Sequence, residues 1–226
     1  MLEVTGLHAW YGQAQALRGV SLQVGAAELV VLQGLNGAGK STLLKAIMGL
    51  CQRIQGVVRY KNESIQSAHG SWPVHQRARA GLGYVAEDRR LFGALTVREN
   101  LWIAAPRGPA GQALEARALG LFPALKPMLQ RPAAHMSGGE QQMLAIARTL
   151  MTAPQLLLLD EPCEGIAPVL VEAIAEALLA LKAQGMPMLV AEQNQLLAAR
   201  ADRVLTLVAG ALAPSAALAG QATVAP

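Results

Sequence analysis

The chain has 226 residues, 53% hydrophobic, 15% charged and 4% aromatic, with a formal net charge of +4. That length allows one α/β unit with an inserted subdomain but not two independent folds, and that balance excludes a disordered chain. The positive charge suits an anionic partner, yet no arginine-rich run or aromatic stacking pattern points to nucleic acid, so the expected polyanion is a nucleotide.

Met1-Leu2-Glu3-Val4 has no basic region followed by an apolar run of secretory length, so a cytosolic protein is expected. Short β-type runs at Leu2-Val4 and Val20-Val24 precede Leu29-Val30-Val31-Leu32-Gln33, which runs directly into glycine-rich sequence. Leu43, Leu44, Ile47 and Leu50 then recur at helical spacing. The stretch from about Glu87 to Met136 differs in texture, with five prolines, many alanines and amphipathic segments such as Leu114-Leu121, and reads as a mainly helical insert. Core character returns with a helix over Gly139-Leu150, a strand over Leu156-Asp160, a helix over Val169-Ala183, and strands over Met188-Ala191 and Val204-Val208.

Alternating strands and helices predict a largely parallel sheet. The expected division is one domain over 1–226, with a core of about 1–86 and 137–211, the insert at 87–136 and a loose tail over 212–226. From Val204 to Pro226 no residue is charged, but Gly210, Pro214, Ser215, Gly220, Gln221 and Thr223 interrupt the run, so a spanning helix is not expected there. Cys51 and Cys163 have neither CxxC spacing nor a nearby His cluster and read as buried or incidental thiols.

Gly34-Leu35-Asn36-Gly37-Ala38-Gly39-Lys40-Ser41, followed by Thr42, fits G-x-x-x-x-G-K-[ST] between a strand and a helix. Glycines let the backbone curl so that successive N–H groups point at phosphate oxygens, and the helix start adds positive potential. Lys40 is expected to reach the β- and γ-phosphates, and Ser41 to place its hydroxyl on Mg²⁺. Leu156-Leu157-Leu158-Leu159-Asp160-Glu161 is an apolar strand delivering two carboxylates to the sheet edge. Asp160 would hold Mg²⁺ through water, and Glu161 would accept a proton from the water attacking the γ-phosphate. In Met136-Ser137-Gly138-Gly139-Glu140, Ser137 with Glu140 three residues later is a capping box, and a helix start with two glycines is also a phosphate site.

Taken together these motifs resemble the ATP-binding cassette transporter ATPases, over nearly the whole chain. The resemblance implies a P-loop NTPase of α/β class with an N-terminal antiparallel β portion and an inserted helical subdomain. It implies ATP hydrolysis with Mg²⁺, and a pair of cassettes in which Ser137, Gly138, Gly139 and Glu140 of one meet the γ-phosphate held by Asn36 to Thr42 of the other. Tyr11 matches the aromatic that stacks on adenine. Glu87 stands where the family usually has a Mg²⁺-sensing glutamine, and a glutamate also ligates a hard cation. Gln193 replaces a histidine that contacts the γ-phosphate; it can hydrogen-bond but not transfer a proton. Ala167 replaces the aspartate that usually links the two sites.

Glu192-Gln193-Asn194, Gly165-Ile166-Ala167-Pro168 and Ser137-Gly138-Gly139-Glu140-Gln141-Gln142-Met143 are similar to importers of branched-chain amino acids, with urea or short-amide importers as the alternative. An exporter cassette, and a soluble cassette acting in DNA repair or on ribosomes, are further alternatives. The resemblance implies two separate transmembrane permease subunits, a periplasmic or extracellular solute-binding protein and a place on the inner face of the cell membrane. Residues from Asp88 to Leu101, with Arg89, Arg90 and Phe92 as contacts, are expected to line the groove where the permease docks.

Overall fold

The computed structural model describes residues 1–214. Strands β1 (Leu2–Tyr11) and β2 (Ala14–Val24) form a hairpin. Strands β4 (Arg53–Tyr60), β5 (Glu63–Ser67) and β6 (Gly70–Ser71) extend it into an antiparallel sheet of order β2-β1-β4-β5-β6. The first two strands are far longer than Leu2-Val4 and Val20-Val24. Gly6 lies at φ 56, at a shift of register between Val4 and Leu7, so burial passes from Leu2 and Val4 to Leu7 and Ala9 out of phase. Such a bulge hides a strand from a period-two search.

The second sheet, of order β11-β10-β3-β9-β8-β7, is parallel except at its edge strand. It comprises β3 (Leu29–Gln33), β7 (Leu82–Val85), β8 (Leu156–Asp160), β9 (Met188–Ala191), β10 (Arg203–Val208) and β11 (Ala211–Leu212). Its central strands are apolar on both faces because both are covered. Leu29, Val31, Leu157, Leu159, Met188 and Val190 belong to the core shared with the helical half. Val30, Leu32, Leu156, Leu158, Leu189 and Ala191 belong to the core shared with the antiparallel sheet. Each leucine so buried contributes about 1.5–3 kcal/mol. Leu212, expected in the tail, lies in β11 beside Leu207 of β10; residues 215–226, the rest of that expected tail, lie outside the described residues.

The helices are α1 (Lys40–Ile47), α2 (Val74–Arg79), α3 (Val97–Trp102), α4 (Pro109–Leu121), α5 (Gly138–Leu150), α6 (Pro168–Ala183) and α7 (Gln195–Ala199). Helix α1 stops before Gly49, which lies at φ 74, so Leu50 is left outside the helix and exposed. Between 87 and 136 lie α3, α4 and two 3-10 turns, packed onto α5 through Val97, Leu101, Ala118, Leu119 and Phe122. No helix of the described residues is long and apolar enough to cross a membrane.

Arg77 of α2 is buried completely and joins the two halves behind α1. Its guanidinium donates to Ala46 O and Ile47 O at the end of α1, to Trp72 O and Ile65 O, and to Gln66 Oε1 and Ser71 Oγ. Burial pushes its pKa down to about 10. The acceptors include the negative end of the α1 dipole, which offsets part of the desolvation of the charge.

Candidate active site

Strand β3 ends at Gln33 on the carboxyl edge of the parallel sheet, and the chain loops through Gly34–Gly39 into α1. Gly37 and Gly39 lie at φ 80 and 108. At Gly39 a Cβ would also stand 3.0 Å from Ala16 O and 3.1 Å from Leu17 Cδ2, so conformation and close approach both demand glycine. Helix α1 has no side-chain cap and no acidic residue in its first turn, which leaves its leading N–H groups and dipole directed at an anion.

Lys40 is buried at the start of that helix. Its ammonium donates to Gly34 O at 2.8 Å and Leu35 O at 3.3 Å and pairs with Glu161 Oε1 at 3.0 Å. Ser41 is half-buried and Thr42 is buried, while Asn36 is exposed and accepts from Gln193 Nε2 at 2.6 Å. Tyr11, at the end of β1, is 52% exposed. Its hydroxyl meets the half-buried Cys51 thiol, which burial holds above the usual thiol range.

Asp160 closes β8 and is fully buried. Its Oδ2 accepts from Tyr84 Oη at 3.1 Å, while Oδ1 has no hydrogen-bond partner. Burial raises its pKa, with the Ser41 and Tyr84 hydroxyls working against the rise. A buried carboxylate oxygen left over, beside the Ser41 hydroxyl, is a hard-oxygen donor set that fits Mg²⁺. Among the described residues no three His, Cys, Asp or Glu side chains gather as a metal cage.

Glu161 follows at φ 47, in the left-handed region, while its N–H still donates to Ala191 O at 2.8 Å. That conformation costs free energy in a non-glycine residue and turns the chain sharply at the strand end. Burial works to raise the Glu161 carboxyl, but hydrogen bonds from Glu164, Lys40 and Gln193 and the Lys40 charge outweigh it and hold the group below the usual carboxylate range. The partner of that balance is Glu164, whose pKa is pushed up to about 7 by its hydrogen bond to Glu161 and by the Glu161 charge.

Lys40, Asp160, Glu161, Gln193 and the loop from Asn36 to Thr42 are therefore brought together at one edge. Glu87 is exposed just after β7, close enough to act on the Glu164 charge but without a hydrogen bond to Asp160 or Ser41. The Ser137–Glu140 group stands apart. Ser137 Oγ accepts from Glu140 N, and Glu140 Oε2 accepts from Ser137 N, closing the capping box at the start of α5. Gly138 lies against the Arg89 guanidinium, and at Gly139 a Cβ would meet Ile166 at 2.9 Å and overlap Leu170. Ala167 is exposed at the N-cap of α6. Arg89 donates to Gln141 and Gln142, Arg90 pairs with Asp88, and Phe92 is 49% exposed beneath the Arg148 guanidinium.

Three contributors escaped the sequence reading: Tyr84, Glu164 and Glu192. Tyr84 lies 76 positions from Asp160, and only the pairing of Tyr84 with Leu158 across β7 and β8 brings them together. Glu164 and Glu192 did carry a signal, Glu192 being an acid directly before Gln193 and Glu164 an acid three positions after Glu161.

A family model described as ABC transporter matches residues 17–164. The high-affinity branched-chain amino acid transport ATP-binding protein BraG of Pseudomonas aeruginosa is 41% identical over 213 residues, covering 93% of this chain and 90% of its own. A probable branched-chain amino acid transport ATP-binding protein, LivF, of Archaeoglobus fulgidus is 35% identical over 94% of this chain and 90% of its own. The dimeric structure of a bacterial ABC transporter cassette superposes with a TM-score of 0.80 at 25% identity, over 95% of this chain and 97% of that one. Joined to the geometry of Lys40, Asp160 and Glu161, these matches establish that the chain belongs to the ABC transporter family, as one of its ATP-hydrolysing cassettes.

Proposed function

We propose that the chain is the ATPase subunit of an importer of branched-chain amino acids, placed at the cytoplasmic face of the membrane and joined to two permease subunits that a solute-binding protein supplies. The single observation that carries the catalytic part is the Lys40–Glu161 ion pair beside the unpartnered oxygen of Asp160. The 41% identity to BraG carries the importer part; a solute never meets the cassette, so its identity rests on likeness.

In this reading Asn36 to Lys40 wrap the ATP phosphates with backbone N–H groups, Thr42 supports the loop, and Tyr11 stacks on the adenine. Mg²⁺, held by Ser41 and Asp160 with Glu87 nearby, supplies charge neutralisation of the phosphate oxygens. Lys40 exchanges carbonyl and carboxylate contacts for phosphate oxygens, so the γ-phosphate and Glu161 compete for one ammonium group. Glu161, released from that pair, accepts the proton of the attacking water, and Gln193 donates a hydrogen bond toward the γ-phosphate. Ser137, Gly138, Gly139 and Glu140 face the nucleotide of a second cassette, an identical or different chain. ATP binding energy favours the closed pair and moves the permeases docked along Asp88–Leu101.

The test is reconstitution in liposomes with two permease subunits and a solute-binding protein that co-purify with it. ATP-dependent uptake of leucine, isoleucine or valine supports the reading. Uptake of urea or short amides with no branched-chain uptake moves the solute to the alternative class, and ATP-driven efflux removes the importer assignment.

A further inference from the structure

Where β8 and β9 end, the two strands part into separate turns. One carries Glu161 and runs through Pro162 and Cys163; the other carries Gln193 and leads into α7. The ladder between the strands closes with Asp160 opposite Ala191 and with the Glu161 N–H on Ala191 O. Past that point Glu192 carries the link onward. Its Oε2 accepts from Cys163 N at 2.9 Å, and its Oε1 accepts from Gln193 N at 2.8 Å and Asn194 N at 3.0 Å. The side chain is 3% exposed, and among the described residues it forms no ion pair. A buried carboxylate without a cation is tolerated only where N–H donors replace its hydration, as these three amides do.

Each oxygen therefore serves a different turn. Gln193 in turn bonds Asn36 of the phosphate loop through its side chain, so the loop, the Glu161 turn and the Gln193 turn form one connected network with Glu192 at its joint. We propose that Glu192 is a positioning residue for ATP hydrolysis, its carboxylate holding the turn of Glu161 in register with the turn of Gln193. It touches no nucleotide atom and acts through its neighbours. The inference rests on the roles given above to Glu161 and Gln193. A capping role confined to one turn would explain one oxygen but not the bond from each oxygen to a different segment.

Glu192→Gln tests this directly, because the amide keeps the shape but offers one acceptor oxygen, and its NH₂ group must then face a backbone N–H. Measured on the full chain under conditions in which the wild type hydrolyses ATP, Glu192→Gln is expected to lower kcat about tenfold, since small misplacements of catalytic groups cost that much or more. The Kd for MgATP should stay within about twofold, because the groups that hold the phosphates are left in place. Combined with Gln193→Ala, it should lower kcat by less than the product of the two single effects, the mark of groups acting as one unit. A wild-type kcat, a fall in kcat matched by an equal loss of affinity, or fully multiplicative effects would each overturn the proposal. Should Glu192→Gln not fold, Glu192→Asp carries the same comparison: it keeps the charge and its place beside Gln193 but falls short of Cys163, and a wild-type kcat there overturns the proposal too. Glu161→Gln serves as control. Normal turnover by that variant removes the assignment of the base and this inference with it, whereas an inactive Glu161→Gln beside a fully active Glu192→Gln removes the inference alone.

Discussion

The carboxyl edge of the parallel sheet and the start of α5 both present groups suited to phosphate, but they are held in opposite ways. At the sheet edge Lys40 is tied to Gly34, Leu35 and Glu161, Gln193 to Asn36, and Asp160 to Tyr84. At the helix start the side chains of Ser137 and Glu140 bond only to their own capping box, and among the described residues no hydrogen bond joins them to the phosphate loop. Bonds within the chain make the first region a finished machine part. The second is finished only as a surface, and its use depends on what meets it.

Substitutions can break or sharpen that contrast. The largest effect is expected from Glu161→Gln, which should cut ATP turnover by about 10²–10⁴-fold, the usual worth of a general base, while nucleotide binding measured by equilibrium titration persists. Near-normal turnover would remove Glu161 as the base and leave the sheet edge a binding site only. Ser137→Ala should leave the MgATP affinity of the chain alone unchanged and cost about 1 kcal/mol of stability through the lost cap, yet lower turnover in the cassette pair. Loss of affinity in the chain alone would place Ser137 in its own site and erase the contrast.

The smallest effect concerns pH. The Glu164 carboxyl, pushed up to about 7 by Glu161, stabilises the fold in its protonated form. That contribution is complete below its ordinary pKa of about 4.5 and is lost as pH rises through 7. Glu164→Gln cannot ionise, so its Tm should gain on the wild type between pH 5 and 8, by no more than about 2 °C because Glu164 is largely exposed and solvent screens it. A Tm difference that is flat with pH would show that Glu161 and Glu164 do not share a proton.

Most of the parallel half was legible because its signals are local, whereas β7, four residues long with Gly83 inside it, and the short α7 and β11 were not expected. The apolar runs Leu29–Leu32 and Leu156–Leu159 bound themselves, the glycine loop lies between strand and helix, and the Ser137–Glu140 spacing is a cap in its own right. The antiparallel half was read only at its ends, since bulges shift the burial phase and β4, β5 and β6 carry mixed polar sequence. Helix α2 is short, and its one buried side chain, Arg77, is polar, so no apolar period announces it. Within the site, the missing pieces were contacts between distant positions, such as Cys163 with Glu192 across 29 residues, which no spacing rule encodes.

The leucines of β8 alternate between two cores, Leu157 and Leu159 in one, Leu156 and Leu158 in the other. Neither layer can peel away and release the strand, because the other layer and the ladders to β7 and β9 still hold it. Its amide protons should therefore exchange with solvent only when the whole molecule opens, while those at the first turn of α5 escape by local fraying. For Asp160, the lifetime of its place in the site is the lifetime of the fold itself.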